Sequence, residues 1–155
     1  MIITWYGHAC FKIQSGDLVI VTDPFAKEIG LAPPRVRADM ALVSHGHADH
    51  ANSETVAGNP FVIKGPGEYE ARGVSVQGIE TFHDAEAGAL RGVNTIYVMR
   101  VEDITVAHFG DFGEDELRPE TADALGKIDI LMIPVGAVYT IDAKRAAKIV
   151  KRIEP

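Results

Sequence analysis

Between residues 2 and 22, apolar and β-branched residues come in three short bursts: Ile2-Ile3-Thr4-Trp5, Cys10 to Gln14, and Leu18 to Thr22. Gly7-His8 and Ser15-Gly16-Asp17 separate them, so the pattern predicts a meander of three strands. The third burst stops at Thr22-Asp23-Pro24, where proline ends the ladder and leaves the aspartate at the strand's edge. Residues 26 to 38, with Pro33-Pro34, show no period and predict a long surface loop. Asp39 to Val43 predicts a buried strand. Asn52 to Ala57 predicts a short helix capped by Asn52 or Ser53, and Gly58-Asn59-Pro60 a turn into Phe61-Val62-Ile63. Gly65 to Tyr69 reads as a turn, because no helix signature with a phosphate-binding lysine follows its glycines.

Val74 to Ile79 alternates as a strand and leads to Thr81-Phe82-His83, followed by a Gly-rich loop over 84 to 92. Asn94 to Val101 and Ile104 to His108 predict a hairpin across Glu102-Asp103. From there strands alternate with helices. Pro119 to Leu125 predicts a helix that Gly126 suits as a left-handed C-cap, and Ile128 to Ile133 a strand stopped by Pro134. Asp142 is a good N-cap for Ala143 to Ile153, whose apolar face is Ala146, Ala147, Ile149, Val150 and Ile153. Its five basic residues form the solvated face. This order predicts an α/β fold with two sheets and helices outside them, an αββα sandwich over residues 1–155 in a single domain.

The chain's 155 residues are 46% hydrophobic, enough for one substantial core. A formal charge of −7, with its acids scattered, argues against a nucleic-acid partner. No stretch reaches the roughly 18 apolar residues of a membrane span, and the start lacks the pattern of a signal peptide, so no membrane partner is expected. Cys10 is the lone cysteine, which excludes an internal disulfide and fits a reducing, cytoplasmic compartment. It reads as a small buried residue.

The chemistry concentrates in Ser44-His45-Gly46-His47-Ala48-Asp49-His50, directly after the strand at 39–43. At a strand end, residues i and i+2 point to the same side, so His45 and His47 can converge on one ion. Gly46 lets the chain bend, after which Asp49 and His50 turn toward a second position. Imidazole and carboxylate suit zinc, and also manganese or iron. Two ions need further ligands, and His83 and Asp111 stand at other strand ends, the latter between Gly110 and Phe112-Gly113.

These residues resemble the successive motifs of the metallo-β-lactamase superfamily. More narrowly, Trp5-Tyr6-Gly7-His8-Ala9, Thr22-Asp23-Pro24, Arg91-Gly92-Val93-Asn94-Thr95, His108-Phe109-Gly110-Asp111 and Pro134-Val135-Gly136 resemble bacterial metal-dependent hydrolases similar to ascorbate-6-phosphate lactonase. The resemblance implies that His45, His47 and His83 hold a first metal, that Asp49 and His50 hold a second, and that Asp111 bridges them. Asp23 and His108 would orient ligand imidazoles. His8 is left between lining the pocket, touching a metal and plain packing. The family has a further histidine on the second metal, and none follows His108 here. The expectation is therefore a domain lacking its C-terminal strand or strands, with a weakened second metal and an exposed edge favouring homo-oligomers.

The resemblance implies a hydrolase with one or two zinc ions that acts on a small-molecule lactone, ester or phosphoester through a metal-activated water, with Asp49 or Asp111 accepting the proton. Arg91 is a candidate phosphate anchor, a solvated arginine being the alternative. Competing classes are a catalytically impaired metal-binding module and a diiron redox protein. Against the latter, diiron flavoproteins resemble a pattern with glutamate where this chain has His47.

Overall fold

The computed structural model describes residues 1–155. The three N-terminal bursts become β1 (Ile2–Gly7), β2 (Cys10–Ser15) and β3 (Leu18–Thr22), an antiparallel meander. β4 (Met40–Val43) and β5 (Phe61–Lys64) add to it in parallel, making one five-stranded sheet in chain order. A second five-stranded sheet contains β6 (Gly67–Ala71), β7 (Val74–Phe82), β8 (Val93–Val101), β9 (Ile104–His108) and β10 (Ile130–Met132), in the reverse order from β10 to β6. Only β9 and β10 are parallel there, because α1 (Pro119–Leu125) lies in the crossover between them. α2 (Ala143–Ile153) ends the chain; its N-cap Asp142 Oδ1 accepts from the Arg145 amide at 2.7 Å.

Strand β8 shows why its sequence is apolar without interruption. Tyr97 and Met99 face the space between the sheets, packing with Ile20, Met40, Leu42 and Ile63. Ile96 and Val98 face outward, under Leu125 of α1 and Ala146 and Ile149 of α2. Both faces of this sheet are thus covered, which removes the polar alternation of a half-exposed strand. On the other side, Cys10, Val21 and Ala41 are roofed by Phe25, Val36 and Val56. That outer layer is loop, with 3₁₀ turns at Lys27–Ile29 and Ser53–Thr55. The two-sheet sandwich stands as expected, its first outer layer irregular.

Four local expectations are corrected. Gly67 to Ala71 is a strand rather than a turn, held by pairing with β7. Within residues 52–57 only Ser53–Thr55 is helical, a single 3₁₀ turn without a side-chain cap. Gly126 has φ 60° but ψ −147°, so it ends α1 outside the left-handed helical region. Val150 is 40% exposed, which narrows the apolar face of α2. No helix is long and apolar enough to cross a membrane.

Tyr97 pins the sheets together. Its buried hydroxyl donates to the Val43 carbonyl at 2.8 Å and accepts from the Gly65 amide at 3.0 Å. Strand β4 therefore reaches Ser44 in a fixed position relative to the second sheet, and Thr95 N donates to Ser44 O across the gap at 2.9 Å. The ends of β3, β4, β7 and β9 consequently meet at one rim.

Candidate metal centre

All six histidines of the chain gather at this rim. Immediately after β4, His45 Nε2 lies 3.0 Å from His47 Nδ1. His83, delivered by the end of β7, places its ring centroid 4.7 Å from that of His45 and 5.1 Å from that of His47. His50 packs on His45 with centroids 4.2 Å apart. Asp111 then closes the cluster: its Oδ2 is 3.2 Å from His83 Nε2 and 3.3 Å from His50 Nε2. Asp49 Oδ2 is 3.8 Å from His50 Nε2 and 3.1 Å from His8 Nε2. Three groups thus have ligand atoms within 4.8 Å of one another: His45, His47 and His83; His45, His50 and Asp111; and His8, Asp49 and His50.

The spacing fits divalent ions. Metal to ligand bonds of about 2.0–2.2 Å at angles between octahedral and tetrahedral separate neighbouring ligand atoms by about 2.8–3.6 Å, close to the distances observed. The hydrogen bonding points the same way. Both nitrogens of buried His50 and Nδ1 of His83 lack a hydrogen-bond partner. Carboxylate oxygens do lie 3.1 and 3.3 Å from the His50 nitrogens, at angles that do not make hydrogen bonds. A neutral imidazole carries one lone pair and one N–H, so a buried ring without partners is costly, and a cation that takes the lone pair relieves that cost.

Backbone design explains how Asp111 gets so near. Asn94, at the start of β8, donates to Thr81 Oγ1 and Phe109 O and accepts the Asp111 amide at 3.0 Å. Gly110 has φ 54°, and a Cβ there would lie 2.5 Å from Ser44 Cβ. A Cβ on Gly113 would lie 2.4 Å from the His83 carbonyl carbon and oxygen. Only glycine lets this loop press against both histidine-bearing segments.

Behind the cluster, Asp23 is fully buried and accepts from Ser44 N at 2.7 Å, Ser44 Oγ at 2.8 Å and His108 Nε2 at 2.8 Å. Burial opposes its charge, but the His108 and His50 imidazoles outweigh that and hold its carboxyl well below the ordinary range. Asp111 is likewise opposed by burial and held low by His50 and His83. Burial pulls the His45 pKa down to about 4, aided by repulsion from His50, so its lone pair is free near neutrality. For His50, burial is outweighed by Asp111 and Asp23, which push its pKa up to about 10.

The β-lactamase superfamily domain model matches residues 2–155 of the sequence. The chain belongs to the metallo-β-lactamase superfamily. Metal-dependent hydrolases of Methanopyrus kandleri and Pelotomaculum thermopropionicum are 28% and 30% identical to it, each over its whole length and over 80% and 81% of theirs. The crystal structure of a Thermotoga maritima protein, assigned to the zinc-dependent hydrolases of this superfamily, superposes with a TM-score of 0.81. That protein is 40% identical, over 98% of this chain and 70% of its own.

In this superfamily member the centre opens into a cavity of about 550 Å³. Trp5, Val135, Val138 and Tyr139 form exposed apolar walls, and Arg91 is the one lysine or arginine lining it. The Arg91 guanidinium sits 5.3 Å over the Tyr139 ring, joining loops from opposite sides of the mouth. Cys10 faces the core instead, where burial and Asp23 push its thiol up to about 12.

The structure brings together all six residues expected to hold metal, with Asp23 and His108 behind them. It also shows supports to which the sequence assigned no role. Ser44 opens the histidine stretch and Asn94 lies in the Arg91 to Thr95 motif, yet only the partners each makes when buried reveal what it holds. Asp84 accepts four backbone amides, from Glu86, Gly88, Leu90 and Arg91. It thereby shapes the loop that runs from His83 to Arg91. Burial opposes its ionisation, and those amides outweigh it to lower its pKa.

Proposed function

We propose that the chain is a metal-dependent hydrolase that cleaves a lactone, ester or phosphoester of a small molecule, with two zinc ions as the resident metals. The observation that carries this reading is the convergence of His45, His47, His83, Asp49, His50 and Asp111, of which His47, Asp49, His83 and Asp111 line one open cavity. His45, His47 and His83 would hold the first ion, Asp49 and His50 the second, and Asp111 both. A divalent ion held there would polarise a substrate oxygen and lower the pKa of a bound water from about 15.7 toward 7.

The chain's own residues divide the remaining work. Asp111, clamped between His50 and His83 and ionised far below neutrality, is a poor proton acceptor and serves as a fixed negative charge. Asp49, whose side chain is 40% exposed at the cavity, is the more accessible of the two carboxylates and would take a proton from the attacking water. Arg91 supplies the one full side-chain cation for an anionic group of the substrate, held in place by Tyr139. The apolar walls exclude water around the reacting bond. The free Cys10 thiol supports a reducing compartment, and we assign the cytoplasm.

The test is hydrolysis of lactone, aryl ester and aryl phosphodiester panels by chelator-stripped protein with and without added Zn2+, Mn2+ or Fe2+. Metal-dependent turnover that Asp49→Asn reduces at least about a hundredfold is expected. Equal turnover by the stripped protein, or an Asp49→Asn variant as active as wild type, would overturn the assignment. Stoichiometric metal binding without turnover on any panel would instead favour a binding module.

A further inference from the structure

His8 stands apart from the ligands named above, on the turn between β1 and β2, yet its Nε2 reaches Asp49 Oδ2 at 3.1 Å and its ring packs on His50 with centroids 4.5 Å apart. We propose that His8 is a direct ligand of the second ion, supplied by the amino-terminal hairpin and completing with Asp49, His50 and Asp111 a four-residue site. This rests on the reading of the rim as a metal centre.

Three observations carry it. Asp49, His50 and His8 present ligand atoms within 4.8 Å of one another, without help from the first-ion residues. The His8 to Asp49 separation is what two neighbours on one ion require, and the His8 side chain is about one-third exposed, facing the cavity rather than the core.

The third observation is how firmly the turn is held. The β1–β2 register slips between Trp5 and Gly7, and Gly7 and His8 both take positive φ, 101° and 50°. A tight hairpin turn calls for such angles, and histidine is among the non-glycine residues that accept them. The indole Nε1 of Trp5 donates to the His8 carbonyl at 2.9 Å. On the other side, Thr22 Oγ1 donates to Ala9 O at 3.0 Å and accepts the Phe11 amide at 3.1 Å. Thr22 precedes Asp23, which stands 3.1 Å from His50 Nδ1. The turn carrying His8 and the aspartate behind His50 are therefore fixed to the same strand end, so the two imidazoles are positioned as a pair.

A hydrogen bond that merely steadies Asp49 is the competing account, and two variants separate it from ligation. His8→Asn tolerates the left-handed turn but is too short to reach the ion. His8→Gln can still donate to Asp49 through its amide, which is a poor metal ligand. Chelator-stripped wild type and both variants are titrated with Zn2+ by calorimetry and with Co2+ by visible absorption, with folding checked by circular dichroism.

Wild type is expected to take up two ions. Both variants should retain the first with unchanged affinity and bind the second at least about tenfold more weakly, since loss of even a supporting residue costs about 10–100-fold. Free imidazole should restore the second Co2+ band in His8→Asn. Second-ion affinity of wild-type strength in His8→Gln would overturn ligation, as would uptake of one ion by wild type. A His45→Ala variant that still binds the first ion normally would instead overturn the assignment of the centre, which keeps the two failures distinct.

Discussion

Replacing Gly113 by alanine asks whether the close approach of two loops sets the metal centre. Gly113 does not use left-handed backbone, so the added methyl group acts through space alone. Its Cβ would meet the His83 carbonyl carbon and oxygen at 2.4 Å, and the Asp84 amide nitrogen at 2.6 Å. These are backbone atoms, which cannot rotate away. Ordinary contact begins at 3.4 Å, so the two segments must part by about 1 Å. Metal sites tolerate ligand shifts of only about 0.2 Å, so the movement would carry the imidazole of His83 out of reach or pull Asp111 with it. Overpacking of this kind costs about 1–3 kcal/mol, lowering Tm by roughly 2–12 °C in a domain of this size. The affinity of the first ion should fall by at least tenfold, roughly 1.4 kcal/mol. Thermal melts of the metal-free variant and Zn2+ calorimetry read the two effects separately. A Gly113→Ala protein that binds the first ion with wild-type affinity would refute the reasoning, even if its Tm were lower.

Stability of the metal-free protein should peak near pH 6.5. His50, raised from 6.5 to about 10, contributes stability that is full below pH 6.5 and lost as pH rises through about 10. His45, lowered to about 4, contributes stability that is present above pH 6.5 and lost as pH falls through about 4. Asp23 and Asp111, held below 3.8, add losses at lower pH still. Melts across pH 3 to 10 check this, roughly spanning those titrations, and a Tm that climbs steadily above neutrality would contradict it. Zinc at about a hundred times its Kd should stabilise by about 2.7 kcal/mol per ion, raising Tm by roughly 5–10 °C; no shift on adding or stripping metal would count against a metal centre. Cys10, buried and pushed up to about 12, should resist thiol reagents in native protein and react only after unfolding, as thiol titration with and without urea would show.

The strands and α2 were legible because their signals are local. Apolar periodicity and capping residues lie within a few positions of the elements they specify, as Asp142 does for α2. Strand β6 was hidden for the opposite reason: it follows Gly65-Pro66 and starts at Gly67, and pairing with β7 overrides that turn chemistry. The roof over the first sheet was equally opaque, since Phe25, Val36 and Val56 are packed there by tertiary contact without helical period.

For the centre, the sequence by itself determined the donor types and the cluster from His45 to His50, because ligands on one strand end have little freedom to diverge. It also marked His83 and Asp111 as strand-end candidates. Only the tertiary structure decided that these meet, since two glycines and Asn94 bring together segments far apart in the chain. The place of His8 beside Asp49 was likewise beyond local pattern: a single histidine in a turn acquires meaning only when another loop comes within reach. Periodicity reports which face of an element is buried; which side chains share a cavity depends on how the sheets stack.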